Sequence, residues 1–248
     1  MKRAVIAVSI ILSKPPVLVE AQVVYKGKPI EYWVDQVAAG NWIASDAWRA
    51  FKELHCSAAP AVPRLVELLK TAKSGVQQDA AHALGAIGVV SALPALTERL
   101  TSPDRSHRLY ACGAIEDIVA AESGAMTTLG DRPPRCTDPS VKPTQTLAPT
   151  IQPLINLLGD DDENAASCAH RALAKMGAAP VASLVSAAQD LRRPLAVRAS
   201  AARVLGIIGP AAIDALPALK ALVSKPGEHA LIRGEANAAI LKIERRER

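Results

Sequence analysis

Aromatic side chains are scarce in this chain of 248 residues, at 3% of the sequence. A sustained period-2 alternation of apolar and polar residues is also missing over residues 30–248, so strands have little support there. No C-x-x-C unit occurs among Cys56, Cys112, Cys136 and Cys168, which argues against a zinc site. His55, His82, His107, His170 and His229 form no H-E-x-x-H unit or other close ligand pair. The acidic run Asp160-Asp161-Asp162-Glu163 lacks the D-x-D-x-D-G pattern of a calcium loop. It precedes a helical segment, where acids favour the positive end of the helix dipole. Ser, His and Asp stand at no spacing that suggests a catalytic triad. No cofactor and no metal is therefore expected. Charge of one sign does not dominate either. The formal charge is +5, of which residues 1–21 contribute +2, and the remaining +3 does not imply nucleic acid.

What the chain has instead is a phrase that returns. Ala80-Ala81-His82-Ala83-Leu84-Gly85-Ala86-Ile87-Gly88 comes back as Ala201-Ala202-Arg203-Val204-Leu205-Gly206-Ile207-Ile208-Gly209. A weaker copy is Ala169-His170-Arg171-Ala172-Leu173-Ala174-Lys175-Met176-Gly177. The leucine-type anchors Phe51, Leu84, Ile115, Leu173, Leu205 and Ile240 are spaced by 33, 31, 58, 32 and 35 residues. A second element, at Ile30, Pro63, Pro94, Pro153, Ala182 and Pro217, precedes each anchor by 20 to 23 residues. Each unit is thus a first helix, a short turn and a second helix. A unit of this kind cannot bury its apolar face alone and must stack on its neighbours.

The columns of the second helix explain the stacking. Four positions before the anchor stands alanine in every copy: Ala47, Ala80, Ala111, Ala169, Ala201 and Ala236. The position just before the anchor is also small, from Ala50 to Ala239. Three after it stand Leu54, Ile87, Ile118, Met176, Ile208 and Ile243. These positions share one face of a helix of 3.6 residues per turn, and the invariant alanine marks the expected closest approach of two helices. Gly88, Gly177 and Gly209 follow where a helix end accepts positive φ. Pro63, Pro94 and Pro217 suit first helical turns, where the missing N–H is no loss. Half of the residues are apolar, many of them alanine, which suits closely stacked helices rather than a thick core.

These phrases resemble HEAT repeats over nearly all of the chain after residue 25. The closest matches are Pro63-Arg64-Leu65-Val66-Glu67-Leu68-Leu69 with Asp79 to Gly88, and Val197 to Gly206. The fold implied is all-α, an armadillo-like α-solenoid superhelix of about six HEAT-type helix pairs. The family's arginine seven before the anchor is matched by Arg108, Arg198 and Arg233. Gln77 and Ala166 depart from it, which puts the usual polar contact between repeats in question there. Tyr25 to Trp33 is similar to the lead-in of many bacterial exported HEAT proteins. The resemblance extends to enzymes, bilin lyases and deoxyhypusine hydroxylase. The hydroxylase binds two irons through His-Glu pairs, and this chain has none. Nothing matches the lyases beyond the repeats.

Four features stand apart from the repeat. Met1-Lys2-Arg3, the apolar run Ala4 to Leu12 and Val19-Glu20-Ala21 resemble a signal peptide over 1–21, with export the expectation and a cytoplasmic protein the alternative. Lys14-Pro15-Pro16 ends the apolar run early, and the run is too short to span a bilayer. The long gap between Ile115 and Leu173 marks a Pro- and Gly-rich insertion at 123–147 without a helical stripe. It reads either as a flap over one face of the stack or as a linker between two blocks of three repeats. Cys112 and Cys168 fall on successive second helices. They are read first as small packing residues, with a bridge from Cys136 to one of those helices as the other reading. The aromatics Tyr25, Tyr32, Trp33, Trp42, Trp48 and Phe51 crowd the first unit. Trp33 and Phe51 fit a cap on its open end, and Trp42 fits an exposed contact.

The expected function is non-enzymatic: a protein-interaction or scaffolding module whose second helices line a concave face. An enzyme or enzyme accessory factor is the alternative, disfavoured by the missing motifs. The candidate binding residues are Arg49, His82, Arg171 and Arg203, two before the anchor, together with Trp42 and Tyr110. The partner is expected to be a protein segment carrying acidic groups. No nucleic acid and no membrane span are expected.

Overall fold

The computed structural model describes residues 23–41, 46–125, 136 and 143–245, with side chains from 147 in the last segment. The signal-peptide expectation, Trp42 and most of the insertion lie outside the described residues.

Among the described residues twelve α-helices follow one another in six pairs. They are α1 (Ile30–Ala38) and α2 (Ala47–Leu54), α3 (Val62–Thr71) and α4 (Ser74–Ile87), α5 (Leu93–Arg99) and α6 (Arg105–Ser123). Then come α7 (Pro143–Leu157) and α8 (Glu163–Lys175), α9 (Val181–Gln189) and α10 (Leu195–Ile208), α11 (Leu216–Ser224) and α12 (Ala230–Glu244). The six anchors fall on the six even-numbered helices, and all are buried. The six alanines four positions earlier are wholly buried, each at 0% exposure. One continuous apolar core therefore runs from Tyr25 to Ile243. The second helices pack on one another along the stack more closely than the first helices do.

A very close approach of neighbouring second helices falls at a column outside the alanine seam. A Cβ on Gly85 would lie 2.9 Å from Ala114 Cα of the next second helix. A Cβ on Gly206 would lie 2.8 Å from Ala239 Cα. Real side chains do not tolerate such distances. The position just after the anchor in these two repeats must stay bare, so that one backbone can rest on the alanine of the next helix. Gly88, Gly177 and Gly209 take positive φ of 75°, 62° and 69°, as expected of helix ends.

The open end of the first unit is closed by a hairpin that the residue pattern did not announce. Val24–Tyr25 pairs antiparallel with Lys28–Pro29 through a turn at Lys26 and Gly27, both at positive φ. Tyr25 packs edge-on against Trp33 at 5.6 Å between ring centroids, and its hydroxyl donates to Glu53 Oε1 at 2.9 Å. Trp33 and Phe51, the residues read as a cap, are both buried.

Two expectations about the middle of the chain are corrected. The insertion is shorter than 123–147, because α6 includes Ser123 and α7 begins at Pro143. Pro149 and Pro153 therefore lie inside α7 rather than in a first turn. The cysteines are also not simple packing residues. Cys112 of α6 is bonded to Cys168 of α8, with Cα atoms 6.1 Å apart. Cys136 is bonded to Cys56, in the 3-10 turn after α2, with Cα atoms 5.3 Å apart. Cys136 thus joins the first repeat rather than the helix of Cys112 or of Cys168, which the other reading offered. Its sulfur lies 4.0 Å from where a Cβ on Gly88 would sit.

The stretch Leu195–Ser224 is long and apolar enough to cross a membrane by length and composition alone. The chain turns at Gly209, and Ala212 leaves helical geometry. The stretch is therefore divided into α10 of one repeat and α11 of the next.

Candidate functional site: the face of the second helices

The second helices bury one face in the stack and leave most residues two and five before the anchor nearer the surface, with Cys168 a buried exception. Two pairs of neighbouring repeats meet there in one register: the residue two before the anchor touches the residue five before the next anchor. His82 meets Tyr110 in this way, edge to face, at 4.9 Å between ring centroids. Arg203 meets Glu235 in the same way, through Nη2 to Oε1. The structure thus brings together His82 and Tyr110, two of the sequence-predicted residues. The others described are spread along the same face on α2, α8 and α10.

The arginines are not bare cations. Arg49 Nη1 donates to Asp46 Oδ1 at 2.8 Å, and its guanidinium lies 4.9 Å from the Trp48 ring centroid. Arg171 donates through Nε and Nη2 to Glu116, one repeat back, and Lys175 Nζ lies 2.8 Å from the same carboxylate. Glu116 is a buried acid held by two cations, a pairing the column reading missed because it ran along one column only. Even so, the side chains of Arg49, Arg171 and Arg203 are 50%, 54% and 48% exposed. A guanidinium carries five N–H donors, and among the described residues none of the three commits more than two nitrogens.

Between His82 and Arg171 the column is interrupted by Gly113. No described residue lies within 4 Å of where its Cβ would be. The surface therefore has a notch at α6, flanked by Tyr110 on one side and by Arg171 and Lys175 on the other. Asp79, five before its anchor, is partly buried, and removal from water raises its carboxyl above the usual range.

A second row of polar contacts lies at the turns and braces the face. Arg108 places Nε and Nη2 on the two oxygens of Asp160, at 2.6 and 2.8 Å. Burial alone would raise the Asp160 carboxyl, but the hydrogen bonds from Arg108 hold it below its ordinary value. Asp162 caps α8 by accepting from the backbone N–H of Asn164 and Ala165. The acidic run thus serves a cap and an ion pair. Arg198 is buried, donating to the Ala188 carbonyl at 3.0 Å and to Glu228 at 2.7 Å. Hydrogen bonding from Arg198 outweighs burial and holds the Glu228 carboxyl down at about 2. Where the family arginine is missing, substitutes stand in. Arg99 donates to Gln77 Oε1 at 2.7 Å, and Arg193 donates to Asn156 Oδ1 at 3.0 Å. Among the described residues no three His, Cys, Asp or Glu side chains are placed to hold a metal ion.

Family models agree with this geometry. One described as HEAT repeats matches residues 43–116, and one described as PBS lyase HEAT-like repeat matches residues 197–225. No curated protein matches the chain. Among solved structures, one engineered protein is 23% identical, covering 86% of this chain and 96% of its own, at a TM-score of 0.47. A second is 25% identical, covering 88% and 99%, at 0.49. Computationally designed armadillo repeat proteins for modular peptide recognition are 21% identical, covering 86% and 99%, at 0.46.

Proposed function

Because the chain belongs to the HEAT-repeat family, we propose that it is a non-enzymatic binding module whose second-helix face takes a protein segment. The observation that carries this reading is the contrast between seam and surface. The seam is alanine in every repeat, as stacking requires. The surface column changes from Arg to His to Gly and back to Arg. Stacking engages part of that column but leaves its arginines about half exposed, and among the described residues each keeps donors open to a further acceptor. The closer packing of the second helices supports a reading in which the stack curves toward them and this face is the concave one. The segment proposed is extended or helical and carries carboxylates for Arg49, Arg171 and Arg203. Its backbone comes nearest at the Gly113 notch, beside the His82–Tyr110 pair.

The test is affinity capture followed by direct titration of the captured segment. Arg171→Glu would set a second carboxylate against buried Glu116, so glutamine is the suitable replacement. Arg171→Gln with Arg203→Gln should weaken binding about tenfold or more while helicity is kept. Unchanged affinity would place binding elsewhere.

Export is proposed as well. The basic start followed by an apolar run supports it, and so does the pairing of all four cysteines, which an oxidising compartment sustains.

A further inference from the structure

Helix α12 has an outer face on which no other helix of the described residues rests. Helix α12 buries Ile232, Ala236, Ala239, Ile240 and Ile243. Its opposite side presents Leu231, Gly234, Asn237, Ala238 and Leu241 to solvent. Leu231 and Leu241 are 44% and 59% exposed. Gly234 weakens the helix relative to alanine, and no neighbour lies within 4 Å of its missing Cβ. At Gly85 and Gly206 the same absence of a side chain is filled by the next helix. Asn237 is the polar member of this face. In the repeats of α4 and α10 its place is taken by Ala81 and Ala202, which the stack buries. The Asn237 side chain makes no hydrogen bond among the described residues. Arg233 points to the same vacancy. Its counterparts Arg108 and Arg198 each reach a carboxylate of the following repeat, at Asp160 and Glu228. Arg233 makes no ion pair among the described residues.

We propose that this face is covered by α12 of a second copy of the chain, in an end-to-end dimer about a two-fold axis. The face is self-complementary when two such helices run antiparallel and cross between Asn237 and Ala238. Leu241 of each copy then faces the bare backbone at Gly234 of the other, a knob against a hole. Asn237 meets its own counterpart beside the axis, where each amide N–H can donate to the other's carbonyl oxygen. One polar residue in an otherwise apolar helix contact fixes its register. In that register Arg233 lies on the same flank as Glu244 of the second copy. Glu244 is half-exposed, and its tie to Lys220 at 2.8 Å leaves room for a second cation. Isologous pairing of this kind places each contact twice. Head-to-tail stacking is disfavoured, because the other end of the molecule is closed by the hairpin and carries exposed Lys26, Lys28 and Glu31. The interface continues the stacking of second helix on second helix that joins α10 to α12.

Sedimentation equilibrium of the full chain tests this. The mass expected is that of two chains, and Leu241→Glu should raise the dissociation constant by more than about tenfold. Leu241 is largely exposed in the single chain, so circular dichroism should stay unchanged. Arg233→Glu should weaken the dimer, and adding Glu244→Arg should restore part of it, an effect no loss of folding would mimic. A chain that stays monomeric at every concentration overturns the proposal. So does a dimer that Leu241→Glu leaves intact.

Discussion

At the scale of single residues, the molecule depends on a few side chains that decide how near two helices come and how a charge is buried. The Arg198–Glu228 pair is the clearest case, because both side chains are at least nine-tenths buried. Its pH dependence follows from the lowered carboxyl. Glu228 is held at about 2 in the folded chain against an ordinary value of 4.5. Its contribution is therefore fully present above pH 4.5 and lost as pH falls toward about 2. Glu228→Gln leaves Arg198 buried without a counter-charge and should cost about 3 kcal/mol near neutral pH. Urea unfolding across the acid range should show the wild type losing its advantage over the variant between those two pH values. A constant difference across that window would contradict the assignment.

At the scale of the element, the second helix is the unit whose surface is shared out between stacking and solvent. The residue pattern made most of this legible, since periodicity alone locates anchors that turn out buried and alanines that turn out sealed. It did not single out the glycine column, because an alanine and a glycine look alike to periodicity and differ only in how near the next backbone lies. Gly206→Val should destabilise the chain by about 1–3 kcal/mol through overpacking against Ala239. Gly234→Val on α12 should have a much smaller effect on the unfolding of the isolated chain. Equal effects of the two substitutions in chemical denaturation would contradict the close backbone contact at Gly206. The hairpin and the early start of α7 were not legible. A strand of two residues is too short for alternation to register, and Pro149 and Pro153 mask a helix that continues through them.

At the scale of the whole molecule, the two disulfides and the row of turn contacts hold successive repeats in register around the insertion. The pairing of Cys56 with Cys136 spans 80 residues and that of Cys112 with Cys168 spans 56. No local pattern encodes such distances, so the cysteines read as packing residues until the helices were placed. Mass spectrometry after alkylation should find no reactive thiol in the native protein, and all four cysteines alkylated after unfolding and reduction. Thiols that react before reduction would contradict the pairing. The candidate face was legible only as a column of residue types. That Arg171 and Arg203 already hold acids of neighbouring repeats depends on the stagger between helices, which one repeat alone does not reveal.

The most direct measurement of the central claim compares the affinity of a captured protein segment for the wild type with that for the Arg171→Gln, Arg203→Gln chain. The expected result is weaker binding by about tenfold or more, with unchanged circular dichroism. Equal affinity in the two proteins would contradict binding on the second-helix face.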